Sequence, residues 1–170
     1  MRAYMTGYGY ELLAAKLEKI EAQRKEALHR AGKAAAEDSN AWHDNFDYEQ
    51  GMRDHDLYAS MLGNVLSLLQ GAVPVAAPVD DESIRLGHLV RYFDSGRNEE
   101  REVILGGHGE CLVFANVVAC TSPLGKALIG AEEDELRTVE LPGRSVVVNI
   151  LSVRAARRED YQVKDVELVE

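Results

Sequence analysis

Two stretches of the chain carry apolar residues at three-four spacing, and each mirrors the other. In the first the recurring positions are Leu13, Leu17, Ile20, Ala27 and Ala31; in the second they are Leu57 or Tyr58, then Met61, Val65 and Leu68. The pairs Leu13 with Leu68, Leu17 with Val65, and Ile20 with Met61 are all centred near residue 41. This symmetry predicts two antiparallel helices, over residues 8–36 and 46–69, joined by a turn within residues 37–48. Thr6 is placed to cap the first helix. Arg24 and Gly32 interrupt the seam, Gly51 and Gly63 weaken the return helix, and Ala31, Ala34 and Ala35 predict a close helix approach and a slim distal end. Asp38, Ser39, Asn40 and Asn45 suit the turn, because short polar side chains compete with helical hydrogen bonds.

After residue 69 the helical period stops. Pro74 and Pro78 lie in a Gly-, Ala- and Val-rich run that favours extended chain, which divides the sequence into a hairpin over 1–73, a linker over 74–82 and a second domain over 83–170. The second domain reads as sheet. Residues 86–93 and 101–105 flank a turn cluster over 94–98, and residues 135–140 and 144–153 flank Pro142-Gly143, a type II turn pair. Residues 106–109 form a glycine-rich turn without the Lys-Ser/Thr ending of a phosphate loop. Ser122 is placed to cap a short helix, Pro123 to open it and Gly130 to end it. The charged tail over 154–170 fits strand, frayed helix or disorder equally.

Composition narrows the function. With 170 residues and 46% hydrophobic content the chain can bury a core, and a net charge of -10 argues against gripping nucleic acid directly. No apolar run reaches the roughly 20 residues that cross a bilayer, so a cytoplasmic protein without membrane contact is expected. Cys111 and Cys120 have neither metal nor redox spacing and read as small buried hydrophobes. Asp54, His55 and Asp56 occupy consecutive helical positions and cannot converge on one ion.

These features together resemble the bacterial Gre transcription elongation factors. The family's Ser-Pro…Leu-Ile-Gly signature is matched by Ser122, Pro123, Leu128, Ile129 and Gly130, and its Pro-Gly turn by Pro142 and Gly143. At the N-terminus Met5, Thr6, Gly9 and Leu13 match its Met-Thr-x-x-Gly-x-x-x-Leu pattern. The resemblance implies an α+β protein: an antiparallel helical hairpin, or coiled coil, followed by a small FKBP-like antiparallel sheet domain with one short helix. It further implies a monomeric accessory factor rather than an enzyme, which docks on RNA polymerase and meets nascent RNA only through it. The docking contacts would fall on Ser122, Pro123, Leu124 and Gly125, and the hairpin tip would enter the secondary channel, where its acids help hold a Mg²⁺ shared with the polymerase active site.

The tip departs from the family pattern Gly-Asp-Leu-x-Glu-Asn-x-Glu-Tyr. Asp44 falls on the second functional acid and Asp47 on the later glutamate, but the first acid falls on Ala41, or on Asn40 if the turn carries an insertion. Asp38 starts about one helical turn away, roughly 5 Å. The expected catalytic set is therefore Asp44, Asp38 and Asp47, with Asp44 the metal ligand and Asn40, Ala41, Trp42 and His43 as tip contacts. A channel regulator with weak or no cleavage stimulation is expected first. An active cleavage factor is the alternative, and a peptidyl-prolyl isomerase ranks last, because a shared fold does not transfer a site. Without the signature segment, an acidic turn used only for self-association would be the plainer reading.

Overall fold

The computed structural model describes residues 3–37, 45–80 and 83–164. The chain forms two compact units: Leu13–Gln70, and Met1–Leu12 together with Gly71–Glu170.

The first unit is the helical hairpin, built from α1 (Gly7–Glu37) and α2 (Phe46–Gln70). Leu13, Ile20, Ala27 and Ala31 bury the α1 seam at the expected spacing, with Leu17 and Arg24 half-buried between them. On α2 the seam follows Gly51, Tyr58 and Val65 at seven-residue steps, with Met61 and Leu68 half-buried. Leu57, expected on that seam, is 47% exposed. It precedes Tyr58 by one residue, about 100° around the helix, which turns it off the contact face. Gly51 has a packing role that its helix propensity conceals. A Cβ there would lie 2.9 Å from the Ala31 Cβ and 3.1 Å from the Ala27 carbonyl oxygen, so the helices approach closely because all three residues are small. Across this junction Arg30 pairs with Asp54 at 3.0 Å.

The second unit begins with a strand that the sequence pattern does not predict. β1 (Ala3–Thr6) pairs in parallel with β2 (Ala72–Val75), in register Ala3 to Ala72 and Thr6 to Val75. The whole hairpin is thus the crossover between two parallel strands. The expected linker over 74–82 starts inside β2, where Pro74 sits on a strand paired along one side only, the setting in which proline is tolerated. Beyond β2 the chain is fastened to the sheet domain: the His88 Nε2 bonds the Val79 carbonyl at 3.0 Å, and Asp80 accepts the Ala155 N–H at 2.7 Å.

The main sheet comprises β3 (His88–Asp94), β4 (Glu99–Gly106), β5 (Val117–Ala119), β6 (Leu136–Leu141) and β7 (Arg144–Ala155), in the order β5-β4-β3-β7-β6. Both expected hairpins form, β3 with β4 and β6 with β7, and only the β4–β5 pair is parallel. Asp94 closes the first turn by accepting the Gly96 and Arg97 N–H groups at 2.9 and 3.2 Å, and Gly143 takes φ 79 in the second. The short helix α3 (Pro123–Leu128) delivers Leu128 to a core of Ile84, Val90, Tyr92, Leu105, Val148 and Ile150. Residues of the tail are tied to the sheet domain: Ala115 donates to the Gln162 carbonyl at 2.8 Å, Lys164 donates to that of Val113 at 2.9 Å, and Arg154 forks onto Asp160 with two bonds of 2.7 Å.

Candidate functional site

Two regions hold the site residues expected from the sequence, one in each unit. In the hairpin unit, the base of the tip is set by Asn45. Its Oδ1 accepts the Tyr48 N–H at 3.0 Å, capping α2, and its Nδ2 donates to the Ala34 carbonyl on α1 at 3.0 Å. One side chain therefore starts the return helix and ties it to the outgoing one. Asp47 and Glu49 follow in the first turn of α2, where the helix dipole favours acids. Phe46 is 68% exposed with the Arg53 guanidinium 5.9 Å from its ring centroid. Asp47 lines a 270 Å³ groove with Arg30, Lys33, Ala34, Gln50 and Gly51. The other expected tip residues, Asp38, Asn40, Ala41, Trp42, His43 and Asp44, lie outside the described residues.

In the sheet unit, the expected docking residues come together at the start of α3. The Ser122 hydroxyl oxygen accepts the Gly125 N–H at 3.0 Å, and Pro123 occupies the first helical position. Gly125 is buried so tightly that a Cβ would fall 2.1 Å from the Ala119 carbonyl oxygen, which holds the helix start directly against β5. Leu124 faces the other way, into a 180 Å³ cleft shared with Tyr92, Leu141 and Arg144. Burial raises the Tyr92 hydroxyl pKa, and a hydrogen bond and charge from Arg101 oppose the shift.

The sheet unit also holds a buried carboxylate that no local pattern in the sequence announces. Glu110 is fully buried and accepts the Thr6 N–H and the Gly107 N–H on Oε1 and the Thr6 hydroxyl on Oε2. Thr6 itself caps α1 as expected, its hydroxyl oxygen accepting the Gly9 N–H at 3.0 Å. Around this group Tyr8, Phe114 and Tyr161 pack with ring centroids 4.7 to 5.3 Å apart. Burial pushes the Tyr161 hydroxyl up to about 12. The glycines are the available signal: a Cβ at Gly9 or Gly106 would strike the Glu110 side chain at 2.6 and 3.0 Å. Among the described residues no three His, Cys, Asp or Glu side chains gather to hold a metal, and no helix is long and apolar enough to cross a membrane.

Residues 79–155 match the family model for the transcription elongation factor GreA/GreB C-terminal domain. The chain is 26% identical to transcription elongation factor GreA of Lachnoclostridium phytofermentans over 88% of this chain and 94% of that one. It is 28% identical to GreA of Thermodesulfovibrio yellowstonii over 89% and 96%. The crystal structure of GreA factor homolog 1 from Thermus thermophilus aligns at 20% identity and a TM-score of 0.42, covering 91% of this chain and 100% of that one. With the family model on the sheet domain and the signature residues opening α3, the sheet domain is similar to the GreA/GreB C-terminal domain, and the chain is similar along most of its length to GreA transcription elongation factors.

Proposed function

We propose that the protein binds RNA polymerase through its sheet domain and inserts the hairpin tip into the secondary channel, regulating elongation while stimulating transcript cleavage only feebly. The observation that carries this reading is the tip sequence set on its scaffold. Asn45 caps α2 and anchors it to α1, which supports an ordered tip base, yet the position of the first family acid is Ala41.

The two ends of the protein divide the work. Ser122, Pro123 and Leu124 would form the docking edge, held in place by the buried Gly125 beneath them, while Asp44, with Asp38 or Asp47, would offer carboxylate oxygens at the tip. Such hard oxygen donors suit Mg²⁺, which when shared with the polymerase would supply an activated water for phosphodiester hydrolysis. Asp47 is exposed on the first turn of α2, compatible with reaching a ligand in the channel. One carboxylate without a partner at the Ala41 position holds such an ion weakly, so the protein occupies the channel more effectively than it promotes cleavage.

Binding to purified core polymerase, followed by cleavage on backtracked complexes, tests the reading. Tight binding with slow cleavage is expected. Absence of binding overturns the proposal, and rapid cleavage favours the active-factor alternative, in which Asp38 or Asp47 completes the site.

A further inference from the structure

The cleft beside α3 has a composition unlike the rest of this acidic chain. Its floor is apolar, from Leu124 on α3 and Leu141 on β6, and the buried Tyr92 stands behind them. Its rim is cationic, with Arg97, Arg101 and Arg144. The single acid there, Asp94, is occupied by the turn, since it accepts the Gly96 and Arg97 N–H groups at 2.9 and 3.2 Å. Arg101 is engaged by Glu99 at 3.6 Å and by the Tyr92 hydroxyl. Arg97 reaches its two acids only at 4.0 Å. Arg144 is exposed and has no ion-pair partner among the described residues. A guanidinium left free above an apolar floor, in a chain of net charge -10, fits a carboxylate carried on an apolar surface.

We propose that this cleft receives an Asp or Glu side chain from a polypeptide partner, with Arg144 binding the carboxylate and Leu124 and Leu141 packing against the aliphatic residues that flank it. The proposal rests on the polymerase-docking reading and names the chemistry of the docked segment. A protein is the occupant because the floor is apolar: a nucleic-acid backbone would satisfy the arginines and leave Leu124 and Leu141 without a match. The pocket is also small, at 180 Å³, the scale of one or two side chains rather than a nucleotide chain.

The test measures the affinity of the full chain for core RNA polymerase at low and moderate salt, with a short single-stranded RNA as competitor. Arg144→Glu should weaken binding by about tenfold or more, and Leu124→Asp should do likewise, whereas Arg144→Lys should retain part of the affinity. Arg157→Glu, the same charge change on the exposed tail, is the control and should change binding by less than about threefold. Arg144 is exposed, so its variants should melt with the wild type. Wild-type binding that Arg144→Glu and Leu124→Asp leave intact, or that Arg157→Glu weakens equally, overturns the cleft assignment and leaves the docking reading standing. Displacement of polymerase by RNA in the wild type but not in Arg144→Glu assigns the cleft to phosphate and overturns it too. No wild-type binding overturns both readings.

Discussion

Glu110 and Thr6 lie 104 residues apart in sequence, yet Oε2 of Glu110 accepts the Thr6 hydroxyl at 2.9 Å while its Oε1 accepts the Thr6 backbone N–H. Thr6 is the residue that caps α1, so the first turn of the helix is joined to the sheet domain through one buried carboxylate. Glu110→Ala would strand three buried donors, each costing about 1–3 kcal/mol when unpaired. The predicted loss is about 3 kcal/mol or more, seen as a lower thermal midpoint of the sheet unit. Thr6→Val retains the backbone bond but loses both the hydroxyl bond to Glu110 and the cap on the Gly9 N–H, and should cost about 2 kcal/mol. Its cost should shrink in the Glu110→Ala background, because the two residues act as one group. Additive losses would show that they do not.

The glycines of the hairpin should respond in opposite directions. A Cβ added at Gly32 or Gly63 would meet nothing within 4 Å, so alanine there should stabilise the helices by about 0.5–1 kcal/mol each. Gly51→Ala meets Ala31 at 2.9 Å and should destabilise by about 1–3 kcal/mol instead. Chemical denaturation of the three variants decides the matter. A stabilising Gly51→Ala would contradict the close helix approach.

The contrast between these glycines also shows what a sequence discloses. Apolar spacing exposes a seam, so Leu13, Ile20, Ala27 and Val65 are legible, as are the Ser122-Pro123 helix start and the Pro142-Gly143 turn, which depend on local chemistry. Close approach depends on what stands opposite. Gly51 therefore reads as a weakness unless Ala31 is placed beside it, and Leu57 reads as a seam residue because its one-residue offset from Tyr58 is decided by the partner helix. Glu110 and β1 are illegible for a related reason: their partners, Thr6 and β2, are separated from them by the entire hairpin. Among the expected tip residues Asn45 and Asp47 are placed, whereas the residues over 38–44 lie outside the described residues.

Two groups of the tail give it a defined pH range. The Arg154 fork holds the Asp160 carboxyl down to about 2, below its ordinary 3.8, so its contribution to stability is complete above that ordinary value and disappears as the pH falls through about 2. Tyr161 behaves in the opposite sense. Burial raises its folded-state pKa from 10.0 to about 12, so its contribution is complete below 10 and is lost as the pH rises through about 12. Stability of the sheet unit should thus fall at both extremes, and Asp160→Asn should flatten the acid limb while Tyr161→Phe flattens the alkaline one. Thermal melts across pH, compared with wild type, check both; unchanged limbs would exclude these two groups as the cause.

Transcript cleavage on stalled, backtracked polymerase complexes, followed across Mg²⁺ concentration, tests most directly whether the altered tip limits this factor. The wild type should cleave feebly, with a marked gain in Ala41→Asp, or in Asn40→Asp if the turn carries the insertion. Asp44→Ala should abolish the remaining activity without weakening polymerase binding, and should also cancel the gain from Ala41→Asp, because both carboxylates would serve one ion. Strong wild-type cleavage that persists in Asp44→Ala would contradict the weak-tip reading and move the site to Asp38 and Asp47.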